Sequence, residues 1–191
     1  MKLLLFLFCA VLAIHAGAQK KTVVVISTTK GDIEVDLDSK HAPETVKNFL
    51  KYVDQHHYDG GRFHRTVTMA NQPDKKIKIE VIQGGVNPSQ SKNDFPAIKL
   101  ERTNKTGIHH KDGAISMARD GADTATSDFF ICIGDQPELD FGGKRNPDGQ
   151  GFAAFGKVIK GMDVVRTIQH SLSNKQALEP PITIKSIRRK A

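Results

Sequence analysis

Between Asp32 and Asp38 the chain alternates strictly, with Ile33, Val35 and Leu37 set between Asp32, Glu34, Asp36 and Asp38. Period two belongs to a strand with one buried face and one wet face. The β-branched run Thr22 to Ser27 precedes it across a Lys30-Gly31 turn, so the pair reads as a hairpin. The same texture recurs at Arg62 to Thr68, Gly113 to Ala118, Phe129 to Ile133 and Phe152 to Ile159. Ile77, Ile79 and Val81 also alternate, with Lys78 and Glu80, ahead of Gln83 and a Gly84-Gly85 break, and Pro180-Pro181 introduces a last strand carrying Ile182 and Ile184. Only two stretches switch to helical spacing. Val46, Phe49, Leu50 and Val53 follow Pro43-Glu44, a good first turn, and Asp163 to Ile168 begins a short second helix. Loop composition fills 69–76, 86–107, 119–127 and 142–151. Many short strands and two helices predict a mainly β fold built on a closed antiparallel sheet, without internal repeats.

The first residues tell a separate story. Met1-Lys2, an apolar run from Leu3 to Ile14 and Ala16-Gly17-Ala18 have the parts of a secretory signal peptide. The run is shorter than the roughly 20 residues of a membrane span. Cleavage after Ala18 leaves residues 19–191 as a single domain with no stable membrane insertion. The product is exported, to the periplasm if the host is a Gram-negative bacterium and otherwise secreted.

That cleavage leaves 27 basic residues against 21 acidic ones. The excess is spread along the chain with no basic stripe interleaved with aromatics, which argues against nucleic acid as a partner. Cys132 is then the sole cysteine, so the domain rests on its apolar core without an internal disulfide. It lies in an apolar run and reads as a small buried residue. His56-His57 and His109-His110 lack the spacing of metal ligands and read as solvated loop residues, leaving no metal site and no cofactor.

Three segments carry what chemistry there is: Gly61 to Arg65, Val81 to Gly85 and Asp128 to Cys132. They supply a fixed cation, a neutral amide and an aromatic ring, with no nucleophile beside a partnered base. Strand alternation turns Val81 with Gln83 and Asp128 with Phe130, and sends Phe129, Ile131 and Ile133 to the opposite, packed face. Phe130 is expected exposed or half-exposed, so it needs either a loop neighbour or a ligand. His64 reads as a hydrogen-bonded orienting residue or as a proton carrier. Such a site suits gripping a peptide and stabilising a distorted amide.

Phe63-His64-Arg65, Gln83-Gly84-Gly85, Gly113 to Ala118, Ser127 to Ile131 and Phe155 to Val158 occur in an order and spacing that resemble cyclophilin-type peptidyl-prolyl isomerases. Ala42 to Phe49 resembles the family's first helix, and the similarity spans about all of the chain after the leader. The resemblance implies an eight-stranded antiparallel barrel capped by two α-helices, with an outer groove for proline-containing polypeptides, acting as a monomer. It implies that Arg65 is catalytic and that Gln83 holds the substrate backbone. Phe130, Val81 and Leu139 would line the proline pocket with Phe152, and the main chain of Ala118 and Arg119 would pair with the extended peptide. The chain departs from the family pattern at Glu80, Glu138 and Asp128, and in a longer segment between Arg65 and Gln83. Glu80 and Glu138, expected to acidify the pocket rim, keep open a second reading: a non-catalytic binding module or holdase.

Overall fold

The computed structural model describes residues 22–190, so the expected leader, residues 1–18, lies outside the described residues. Nine antiparallel strands run as β1 Thr22–Thr28, β2 Gly31–Leu37, β3 Gly61–Val67, β4 Val81–Gly85, β5 Ala114–Met117, β6 Phe129–Cys132, β7 Ala154–Lys160, β8 Ser173–Asn174 and β9 Ala177–Arg189. Their order is β1-β2-β7-β5-β6-β4-β3-β9, and β9 pairs back onto β1, which closes an eight-stranded barrel. The two-residue β8 is an addition on the β9 edge.

Helix α1, Pro43–Asp54, starts on a proline whose missing N–H costs nothing at that position. It turns Val46, Phe49, Tyr52 and Val53 inward. Helix α3, Met162–Gln169, buries Val165 and Ile168. A single turn, α2 at Thr103–Thr106, is too short to have shown in the apolar spacing.

Two strand boundaries differ from the pattern-based expectation, each for a local reason. Ile77 to Glu80 alternates like a strand, yet β4 begins only at Val81. The amide of Gln72 stands in for a partner strand, donating to Ile79 O (2.8 Å) and Thr68 O (2.7 Å) and accepting from the Ile79 N–H (3.3 Å). Strand β9 begins before Pro180-Pro181 instead of after them. Between the pairs Phe63↔Ile182 and Arg65↔Ala177 the register jumps, so both prolines fall where β9 makes no ladder with β3 and their missing N–H groups are not called for. Phe152 also lies ahead of β7 rather than within it.

The barrel interior is a ring of aromatic contacts around Phe129. Its ring meets Phe49 (5.6 Å, 88°), Tyr58 (5.6 Å, 82°) and Phe63 (5.7 Å, 80°) edge to face, a geometry that favours aromatic pairs beyond simple burial. Ile131 and Ile133 join the same cluster, as strand alternation requires, and Cys132 is buried on the opposite face of β6. Phe129→Ala should lower stability by about 3–5 kcal/mol, since it deletes the hub of a packed interior. Urea unfolding checks this, and a midpoint equal to that of the wild type would contradict the inward placement.

Candidate active site

Strand β3 carries an irregularity that creates the site. Phe63 pairs with Gly84 and Arg65 with Gln83, so His64 is an extra residue with no partner across the ladder. A bulge of this kind breaks the alternation and re-aims side chains. Phe63 points into the core, while His64 and Arg65 are both left half-buried on the outer face.

The Arg65 guanidinium is then fixed by amides. Its Nε and Nη2 donate to Gln176 Oε1 (2.9 and 2.7 Å), and Nη1 donates to Gln83 Oε1 (3.0 Å). Two of its five N–H groups remain for a ligand. Burial pulls the guanidinium pKa below its usual value, though it stays a cation at neutral pH. Gln83 in turn donates from Nε2 to Asp128 Oδ2 (3.1 Å). The Asp128 carboxylate lies over Gly85, where an added Cβ would collide with Asp128 Oδ1, which accounts for glycine at that position. His64 Nε2 stands 3.6 Å from Asp128 Oδ2, too far for a hydrogen bond.

Beside this polar row the groove is lined by Ile79, Val81, Phe130 and Leu139, with Ala118 and Phe152, and buried Val67 backs them. Phe130 is not half-exposed. It is 5% exposed, because it stacks over His110 (5.8 Å, 14°) and meets Phe152 edge-on (5.3 Å, 90°). The ring therefore has its neighbours and forms a floor that leaves one side to the groove. Arg65, Gln83, Phe130, Val81, Ala118, Arg119, Leu139 and Phe152 all line one groove of about 1160 Å³. That is room for several residues of peptide.

Arg119 does not reach into the groove with its side chain. The guanidinium is locked onto Asp148 (2.8 and 3.0 Å) and Gly151 O and lies over the Phe152 ring at 5.0 Å. It is a back wall for Phe152. The Ala118 N–H donates to Asp128 O (2.9 Å), so it is not available to pair with a peptide.

Other expectations change as well. Glu80 and Glu138 do not acidify the rim: Glu80 Oε1 accepts from Gln169 Nε2 (3.2 Å) and Glu138 Oε2 from the Lys144 N–H (2.8 Å), and neither lines the groove. His110 is not solvated. It is buried, with Nδ1 on Asp140 Oδ1 (2.6 Å) and Nε2 on Ser116 Oγ (3.0 Å). Burial works to raise the Asp140 carboxyl, but hydrogen bonds from His110 and His109 hold it below its ordinary pKa. A serine partnered by a base thus exists, contrary to expectation. Ser116 is wholly buried beneath Phe130, with no approach for a substrate, so the trio is internal scaffolding. Gln176 could not be foreseen. It arrives from the β8–β9 turn, 111 residues from Arg65, with no motif to announce it.

Residues 23–189 match the family model described as cyclophilin type peptidyl-prolyl cis-trans isomerase/CLD. The peptidyl-prolyl cis-trans isomerase A of Dickeya dadantii is 39% identical over 155 residues, covering 80% of this chain and 73% of that protein. The isomerase B of Escherichia coli is 32% identical across 84% of this chain and 92% of its own. A solved cyclophilin type isomerase of Cryptosporidium parvum shares the fold, with a TM-score of 0.73 at 24% identity, covering 90% of this chain and 99% of that one.

Burial raises the Asp128 pKa, outweighing the lowering by nearby His64 and by the Gln83 bond. A carboxyl raised in the folded state supports the fold while protonated, and that support is lost as pH climbs through its raised pKa. Asp128→Asn should therefore gain thermal stability relative to wild type between pH 3 and pH 7. The gain is small, since the carboxylate keeps 40% of its surface in water. Melting curves of both proteins across that range decide it; a constant difference would show that the carboxylate titrates as it does in the unfolded chain.

Proposed function

The chain belongs to the cyclophilin-type peptidyl-prolyl cis-trans isomerases, and we propose that it turns over X–Pro bonds in this groove with Arg65 as the catalytic residue. The observation that carries the assignment is how Arg65 is held: a positive charge, aimed by two neutral glutamine oxygens, in a groove also lined by Val81, Phe130, Leu139 and Phe152.

An amide resists rotation by about 18–20 kcal/mol because its nitrogen lone pair is delocalised. Unaided X–Pro isomerisation takes on the order of tens to hundreds of seconds. At the twisted geometry conjugation is lost, and the proline nitrogen becomes a hydrogen-bond acceptor. A guanidinium beside it bonds the twisted state better than the planar one, and that difference lowers the barrier. Every factor of ten in rate needs about 1.4 kcal/mol, within reach of a few charge-assisted bonds in a sheltered groove. Phe130, Leu139, Val81 and Phe152 seat the proline ring. Gln83 orients Arg65 and holds the substrate backbone, while the main chain at Ala118 and Arg119 aligns the extended segment. No step calls on a metal or cofactor.

Proline-containing polypeptides in the course of folding are the natural clients, and the leader-like residues 1–18 support export to a periplasm or to the medium. The holdase reading loses its main support with the turning away of Glu80 and Glu138. We take the protein as a monomer.

Arg65→Ala should cut kcat/KM on an X–Pro tetrapeptide by roughly 10²–10³, by analogy with loss of one oxyanion donor, with little change in melting temperature. A protease-coupled isomerisation assay measures it; undiminished turnover would remove Arg65 from the mechanism. N-terminal sequencing of the exported product should begin at Gln19.

A further inference from the structure

The cations in this molecule are not placed evenly with respect to their counter-charges. Arg166, Arg188 and Arg189, away from the groove, and Arg119 at its back wall each face an aspartate within 3.4 Å. Among the described residues, Arg65 and Arg145, which line the groove, have no carboxylate partner. Arg145 Nη1 donates to Ile77 O (2.7 Å), which ties the loop after Leu139 to the loop before β4. Burial and the positive charge of Arg65 both depress the Arg145 pKa, as expected of two guanidinium groups facing one space. Lys75, Lys76 and Lys144 line the same region with exposed side chains. Three acids also line the groove, and none of them pairs with these cations: Asp94 accepts from Thr126, Asp128 accepts from Gln83, and Asp120 stands beside Thr124.

Partly buried like charges without counter-ions are costly unless something supplies the opposite charge. We propose that Arg145, with Lys75, Lys76 and Lys144, forms an anionic-residue subsite beside the proline pocket, so that the enzyme prefers X–Pro segments carrying a Glu or Asp within two residues of the proline. This deepens the isomerase reading and rests on it. The preference arises at the rim, so it acts on capture of the peptide and on salt dependence more than on rotation itself.

The test uses the purified protein and a peptide set in which Glu, or its neutral isostere Gln, stands one or two positions before or after the proline. Turnover and Kd are both measured, at low salt and at 1 M salt, where the screening length falls to about 3 Å. At least one Glu placement should raise kcat/KM and tighten Kd by about tenfold over Gln at low salt, and the advantage should collapse at 1 M. The triple change Lys75→Gln, Lys76→Gln, Lys144→Gln should bring the Glu-to-Gln ratio toward one. If no Glu placement outperforms Gln at low salt, the subsite is refuted while turnover of the Gln peptides keeps the isomerase reading. If the Glu advantage survives both high salt and the triple change, it has another origin and the proposal fails. If no peptide is turned over, the isomerase reading falls, and Kd alone still decides the anionic preference.

Discussion

A strand turns neighbouring side chains to opposite faces, and in a closed barrel that makes each strand a wall shared by the core and the surface. Here β6 is the wall that matters. Phe129 is the centre of the interior aromatic cluster, and Phe130, the next residue, is the floor of the outer pocket. The floor inherits the rigidity of the core, because its backbone cannot move without moving Phe129 among three packed rings. Beneath it, buried His110 and Ser116, tied to half-buried Asp140, support Phe130 with a flat imidazole face. Their polar atoms are satisfied internally, so they add order without leaving an unpaired buried group.

Against this wall the bulge at His64 presents Arg65. The choice of anchors has an electrostatic consequence. A carboxylate near 3 Å would fix the guanidinium equally well but would cancel much of its field in the groove. Glutamine oxygens at Gln176 and Gln83 fix the direction and leave the charge available. Asp128 sits one step further out, bonded to Gln83 and not to Arg65, so it orders the row without neutralising its end.

The barrel and its helices were legible because each rests on a local period: Ile33, Val35 and Leu37 for a strand, Val46, Phe49 and Val53 for a helix. The site was legible in part. Arg65, Gln83 and Phe130 stand in ordered motifs, and strand alternation was enough to place Phe129 and Phe130 on opposite faces. What failed were properties fixed by distant partners. Phe130 is buried where alternation alone leaves it open, because His110 and Phe152 cover it; Ile77 and Ile79 stay outside β4 because Gln72 replaces a strand; and Glu80 bonds Gln169 instead of reaching the rim. No period in the chain encodes an amide brought in from a turn 111 residues away.

The two loops that flank the pocket obey a different logic from the barrel. Their conformation depends on a few polar contacts: Gln72 spanning Thr68 and Ile79, Asn71 reaching Thr66 O and Lys175 O (3.0 Å each), and Arg145 reaching Ile77 O. None of these contacts contributes to the barrel core. Loop residues can therefore change charge at little cost to the fold, whereas Phe129 or Gly85 cannot change at all without disturbing packing or the Gln83–Asp128 row. On the proposed assignment, chemistry common to any X–Pro bond is built into the sheet register, and discrimination among peptides falls to the loops. Two loops meeting at Arg145, within the field of Arg65, are thus where this chain is free to impose a preference of its own.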